Sequence, residues 1–267
     1  MKGGGIVAIA GELRSLGSTL NEELAPRRAG PVVVTGMLAE QLAKELGAGA
    51  RPGAVVVGPA ELRAGAEALV HVLAGDPSTE DDALIRAANR LDVAAVAVQL
   101  WPQADWAKTF VLTPFVVECR TGEGFPIGEI AERLAEATQD SAALAADLPA
   151  VAEVARAGLV RQSMIRSAVI GLAGARLGAS RPLISLEQAR MVARLRRTTA
   201  VSSPEGDRTG LVAGGAAALV AGFAFRRLAR NVRTVVPAPI ANTAVAAVGT
   251  WALAKAFALA ESRLLER

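Results

Sequence analysis

The chain has 267 residues, 52% of them apolar, with a net charge of +3, a composition that buries a substantial core and excludes a disordered polymer. Aromatic residues make up 3% and Tyr is absent, so platforms for stacking nucleic-acid bases are scarce. The one cysteine, Cys119, excludes an intramolecular disulfide framework and any multi-Cys metal site, and it fits a reducing compartment.

The charge is unevenly spread. Residues 1–149 carry 12 Lys and Arg against 20 Asp and Glu, while residues 150–267 carry 17 against 6. The basic half therefore suits an acidic partner, which could be an anionic lipid surface, nucleic acid or the acidic half of the chain itself.

Along the chain, Ile9, Leu13, Leu16 and Leu20 give residues 1–30 an amphipathic lead, closed by breakers from Pro26 to Pro31. Glu12 and Arg14 interrupt its apolar run, so it reads as no export signal and the chain as cytoplasmic. Apolar runs then alternate with helical patterns. Strands are predicted at Val32–Thr35, Ala54–Gly58, Ala68–Leu73, Ala94–Gln99 and Phe115–Glu118, and their nearly continuous apolar character suits parallel strands covered on both faces. Helices are predicted at Leu38–Leu46, from a capping signal at Ser78 to Asp82 through Leu91, and at Ile127–Ala137 after Pro126. Residues 31–148 thus read as an α/β domain, three-layered around a mostly parallel sheet. Residues 149–267 read as an all-α, Ala/Gly-rich domain with breakers at Ser180–Pro182, Ser202–Gly206 and Pro237–Pro239. Gly174 with Gly178, and Gly210 with Gly214, have the spacing that lets helix backbones approach closely.

Two stretches in this second domain are uncharged, Thr209–Phe225 and Thr234–Ala254, long enough for a marginal and a full membrane span. Ala and Gly dominate both, which weakens insertion, and Pro237 and Pro239 interrupt the second. The positive-inside rule would keep the loop with Arg226, Arg227, Arg230 and Arg233 in the cytoplasm, leaving both hairpin ends outside. A two-span hairpin therefore conflicts with a cytoplasmic α/β domain. A peripheral, partly inserted or fully soluble bundle does not.

Recognised catalytic constellations are missing. After the first strand, Val34-Thr35-Gly36 runs directly into Met37-Leu38-Ala39-Glu40, without the second Gly, Lys and hydroxyl of a phosphate-binding loop or the GxGxxG of a dinucleotide fold. His71 lies inside an apolar run and reads as a satisfied core histidine; Cys119 reads as a small buried hydrophobe. Asp76, Glu80, Asp81 and Asp82 follow the third strand, where helix capping explains them without a metal. No catalytic residue, metal or cofactor is assigned. The residues that a ligand at the strand ends would meet are Thr35, Gly36, Gly75, Asp76, Gln99, Thr121, Gly122 and Gly124. Arg190, Arg194 and Arg197, and likewise Arg226, Arg230 and Arg233, recur at helical spacing as candidate partner or lipid surfaces.

The order of elements resembles a degenerate Era-like GTPase domain. Leu91 to Leu100 resembles the strand leading to that family's guanine-reading NKxD motif, but Gln99-Leu100-Trp101-Pro102 stands in its place. Val116 to Gly124 resembles the last strand and its SAxxGxG-like loop, with Cys119 and Arg120 where Ser-Ala would sit. The resemblance implies a G-domain-like order with the nucleotide-binding residues lost, a pseudo-GTPase. Residues from about Leu183 to Glu261 are similar to the uncharacterised helical domain that follows some bacterial Era-like GTPases and occurs in YcjF-type membrane proteins. Gln188, Arg190 and Met191, Gly222 to Arg226 with Arg230, Pro237, and Ala246 to Thr250 carry that likeness.

The expectation is a non-catalytic accessory or regulatory protein that docks a protein partner or the inner face of a membrane, with homo-oligomerisation compatible. An enzyme or nucleotide binder with an unfamiliar site at the strand ends is one alternative. A nucleic-acid-binding accessory protein is the other, less favoured because aromatic interleaving and base-reading motifs are missing.

Overall fold

The computed structural model describes residues 28–102, 115–120, 124–177, 180–198 and 238–265. The N-terminal lead, Thr121, Gly122, Gly178, the breaker at 202–206, the Gly210 and Gly214 pair, the apolar stretch 209–225 and the arginines at 226, 230 and 233 lie outside these residues. Contacts divide the chain into two units between Gly158 and Leu159.

The first unit is built on five strands, β1 (Val32–Gly36), β2 (Val55–Val57), β3 (Ala68–Leu73), β4 (Ala94–Leu100) and β5 (Val116–Cys119). All pairings are parallel, in the order β2-β1-β3-β4-β5. Parallel neighbours require crossovers, and helices α1 (Ala39–Leu46), α2 (Thr79–Arg90) and α3 (Ile127–Ala137) stand in the chain between or after the strands. Strand residues alternate between two cores. Val32, Val34, Val70, Val72, Val96 and Val98 pack with Leu42 and Leu46 of α1 and Ile130 and Leu134 of α3. On the opposite face, Val33 and Leu69 pack with Ala88 of α2 and with Val93. The unit is therefore a three-layer α/β sandwich.

Local chemistry sets the element ends. Ser78 caps α2: its hydroxyl accepts from the Asp81 N–H at 3.2 Å, and the Asp81 carboxylate accepts from the Ser78 N–H at 2.7 Å. Asp140 caps the short helix α4 (Ser141–Asp147) through the Ala143 N–H. Arg51, in the turn before β2, grips Asp147 with two parallel hydrogen bonds of 2.7 and 3.1 Å, the fork-on-carboxylate geometry that fixes orientation as well as distance. Several predicted boundaries shift by a residue: β2 is Val55–Val57, not Ala54–Gly58, β5 is Val116–Cys119, not Phe115–Glu118, and α2 ends at Arg90, not Leu91. Leu38 does not open α1 but sits before it in a left-handed turn at φ 54°, because strand and helix are joined through only Met37 and Leu38.

The second unit holds α5 (Pro149–Leu177) from Leu159 onward, with α6 (Ser180–Arg197) and α7 (Ala238–Leu265); the start of α5, predicted to open the helical domain, belongs to the first unit, where Val151 and Ala155 join its core. Pro239 falls in the first turn of α7, where its missing N–H costs no helical bond. The apolar stretch expected at 234–254 is therefore one uninterrupted helix from Ala238 onward.

Candidate functional site

In an open parallel sheet of this order, β1 connects to β2 on one side and β3 lies on the other, so a crevice opens beyond the carboxyl ends of β1 and β3. Most residues named from the sequence stand along this edge, spread over four strands. Gly36 ends β1 at φ 91°, and a side chain there would meet the Val72 carbonyl oxygen at 2.1 Å. The next N–H, that of Met37, donates to the same carbonyl at 3.2 Å. The turn thus gives its first donor to the sheet and leaves no glycine-rich loop to surround a phosphate. Glu40 in the first turn of α1 adds a negative charge where an anion would approach. Asp76 lies exposed beyond β3, and Gln99 pairs in register with Leu73 and Glu118. The Gly124 carbonyl accepts from the buried Cys119 thiol at 3.1 Å.

The geometry also joins three residues that spacing could not. Thr35 on β1 and His71 on β3 are register partners whose side chains share the α2 face, directly beneath the start of that helix. Thr35 Oγ1 lies 2.8 Å from His71 Nδ1, and His71 Nε2 lies 2.8 Å from Asp81 Oδ1. A carboxylate can only accept, so Nε2 carries a proton toward Asp81, and the Thr35 hydroxyl, which can donate or accept, completes the contact at Nδ1. Burial alone would raise the Asp81 carboxyl pKa, but the Ser78 N–H and hydroxyl and the imidazole outweigh it and hold the value below the ordinary one. A hydroxyl, an imidazole and a carboxylate in a row form the constellation of nucleophilic hydrolases, yet Thr35 is 2% and His71 3% exposed. A nucleophile closed off from substrate cannot attack it. The row instead ties two strand ends to a helix cap.

At the opposite end of the sheet, a polar cleft of about 540 Å³ is lined by Arg28, Glu67, Asn89, Asp92, Gln139 and Asp140, among others. Desolvation of the half-buried Glu67 raises its pKa, the Gly30 N–H opposes this, and the charge of Asp140 adds to the rise. No group of three or more His, Cys, Asp or Glu among the described residues could hold a metal ion.

The helical unit presents a different surface. Toward its interior α5 turns Ser163, Ser167 and Gly171, and α7 turns Ala241, Ala246, Gly249 and Thr250. Thr250 Oγ1 donates to Ser167 Oγ at 2.9 Å and Ser163 Oγ donates to the buried Glu187 at 3.1 Å, while a side chain on Gly171 would meet the Asn242 carbonyl oxygen at 2.9 Å. Leu159 of α5, Met191 and Leu195 of α6 and Leu253 of α7 are buried with them, while Ile165, Val169 and Leu172 on α5 and Ile240, Val248, Trp251 and Leu259 on α7 are exposed. Residues Ile240–Leu259 are long and apolar enough to cross a membrane, and only 33% of that window is buried. Of the arginines that recur at helical spacing on α6, Arg190 and Arg194 are half-buried and Arg197 is buried. The surroundings of the spacing-four glycines that drew attention in the sequence lie outside what is described; in the helical unit the close approach that is described is at Gly171, in line with Ser163 and Ser167 at every fourth residue.

Comparison of the chain with protein-family models, with curated proteins and with solved structures finds no match.

Proposed function

We propose that this protein is a non-catalytic accessory component whose α/β unit docks a protein partner and whose helical unit associates with the cytoplasmic face of a membrane. The observation that carries the reading is the outward apolar face of α7, opposite its small-residue and hydroxyl contacts. Helices that fold in water bury their large apolar residues and expose polar ones. Helices that meet lipid pack through small residues and hydroxyl hydrogen bonds and turn large apolar side chains outward. The second pattern describes the outward face of α7, whose exposed positions are apolar from Ile240 through Val248 and Trp251, and the excess of cations in residues 150–267 favours anionic headgroups beside it. Because α7 commits one face to Ser167 and Gln188 through Thr250, its outward face enters lipid while the helix stays in the bundle.

A pseudo-GTPase origin for the α/β unit is part of the same proposal. Its support is the succession of β3, α2, β4 and β5 that the resemblance uses, together with a β1 to α1 turn in which Met37 and Leu38 replace a phosphate loop. Sedimentation of the full-length protein with anionic and with neutral liposomes tests the membrane half. Retention on anionic vesicles that survives alkaline carbonate is the expected result. Release by salt alone, reproduced by an Arg226→Ala, Arg230→Ala, Arg233→Ala variant, would restrict the contact to a charged surface, and a protein that stays in the supernatant throughout would refute the membrane reading.

A further inference from the structure

We infer that the carboxyl edge of the sheet is a docking surface for a basic amphipathic helix of a partner protein, and that Leu38 and Trp101 are its anchors. The inference rests on the partner-docking part of the function proposed above and names what that partner presents.

Two independent costs coincide at these residues. Leu38 is 47% and Trp101 49% exposed, with Met37 beside Leu38 at 51%, so large apolar side chains stand in water at the end of the sheet where ligands of such folds bind. Both Leu38 and Trp101 also have left-handed backbones, at φ 54° and 51°. Among the described residues the only other non-glycine with positive φ is Asp92, a residue type that tolerates this conformation. Strained backbone is kept where surrounding structure enforces it and function uses it. Neither side chain is buried in return, since about half of each stands in water. β3 lies between the strands that carry them, and only small residues, Ala74 and Gly75, follow it directly, which leaves a low saddle between two apolar projections.

Charge selects the occupant. Glu40 at the start of α1, Glu61 after β2, Asp76 and Glu80 after β3 and Glu118 near the end of β5 lie around this edge; Arg63 and Arg120 there pair with Glu61 and Glu118, leaving five carboxylates against two guanidinium groups, and residues 28–158 hold 18 Asp and Glu against 10 Lys and Arg. An apolar strip rimmed by carboxylates matches a helix with Leu-type side chains on one face and Arg or Lys on its flanks.

The test uses the full-length protein and two synthetic helical peptides of about five turns. They share one Leu face, and one carries Arg and the other Glu on the flanks. By calorimetric titration the Arg peptide is expected to bind at least about tenfold more tightly than the Glu peptide. The double variant Leu38→Gly, Trp101→Gly is expected to weaken that binding by at least about tenfold, while its melting temperature holds or rises by about 2 to 4 °C because glycine relieves the strained backbones. Met37→Ser, which leaves the backbone unstrained, is expected to weaken binding without moving the melting temperature. Equal affinity for the two peptides, no binding, unchanged affinity in the variants, or a melting temperature that falls in the glycine variant would each overturn the inference. Liposome retention persisting alongside such a failure would show that the docking surface alone had failed and not the membrane reading.

Discussion

At the scale of the residue, the row from Thr35 through His71 to Asp81 is the most demanding chemistry in the α/β unit, since three polar side chains are brought together near an apolar core. Removing the carboxylate acceptor should expose its contribution. Asp81→Asn is expected to lower stability at neutral pH by about 1 to 2 kcal/mol, from the lost capping box and the weakened histidine contact. The native carboxyl pKa is depressed, so near the ordinary value of 3.8 the unfolded state holds more protons than the folded one, and stability rises with pH there. The wild-type advantage should therefore be complete well above pH 3.8 and vanish as the pH falls through the depressed native value. Melting curves of both proteins across that range would check it; a constant difference would mean that Asp81 acts by packing alone. His71 was legible as a satisfied core histidine from the apolar run around it. Its partners were not, because Thr35 stands 36 and Asp81 10 positions away and only the register of β1 against β3 brings the hydroxyl to the ring.

At the scale of the element, apolar runs bounded by Gly, Pro and acidic residues located all five strands, and β3 runs over the same residues as expected, Ala68–Leu73. Both faces of these strands are covered, so an unbroken apolar run is their direct signature. Misplaced by one residue was the start of α1, where Leu38 has good helix propensity but the short turn takes it into a left-handed conformation. The helical unit was harder to read, since Ala and Gly on every side of a helix leave no apolar stripe to mark the inner face. Gly171 tests which face that is. Gly171→Val places a branched side chain against the Asn242 backbone and is expected to abolish the cooperative melting of the helical unit, followed by limited proteolysis. Gly158→Ala, where nothing lies within 4 Å, is expected to stabilise its helix by about 0.5 to 1 kcal/mol. Equal tolerance of both substitutions would mean that α5 and α7 do not pack through Gly171.

At the scale of the whole molecule, the two units differ in charge and surface: an acidic α/β sandwich with exposed Met37, Leu38 and Trp101 at the carboxyl ends of its strands, and a cationic helical unit with exposed apolar residues on α7. The class of the first unit was readable from composition and periodicity. Its proposed docking role was not, because exposure and backbone strain at Leu38 and Trp101 are properties of the folded chain.

The central claim, that the outward face of α7 meets lipid, is tested most directly at Trp251. This residue is 47% exposed and stands on the same apolar face as Val248. With Trp101 and Trp106 replaced by Phe, Trp251 is the only indole in the chain. Its emission should shift to the blue on addition of anionic vesicles and be quenched when the acyl chains are brominated. Emission that neither shifts nor responds to the bromine would place this face in water and contradict the claim.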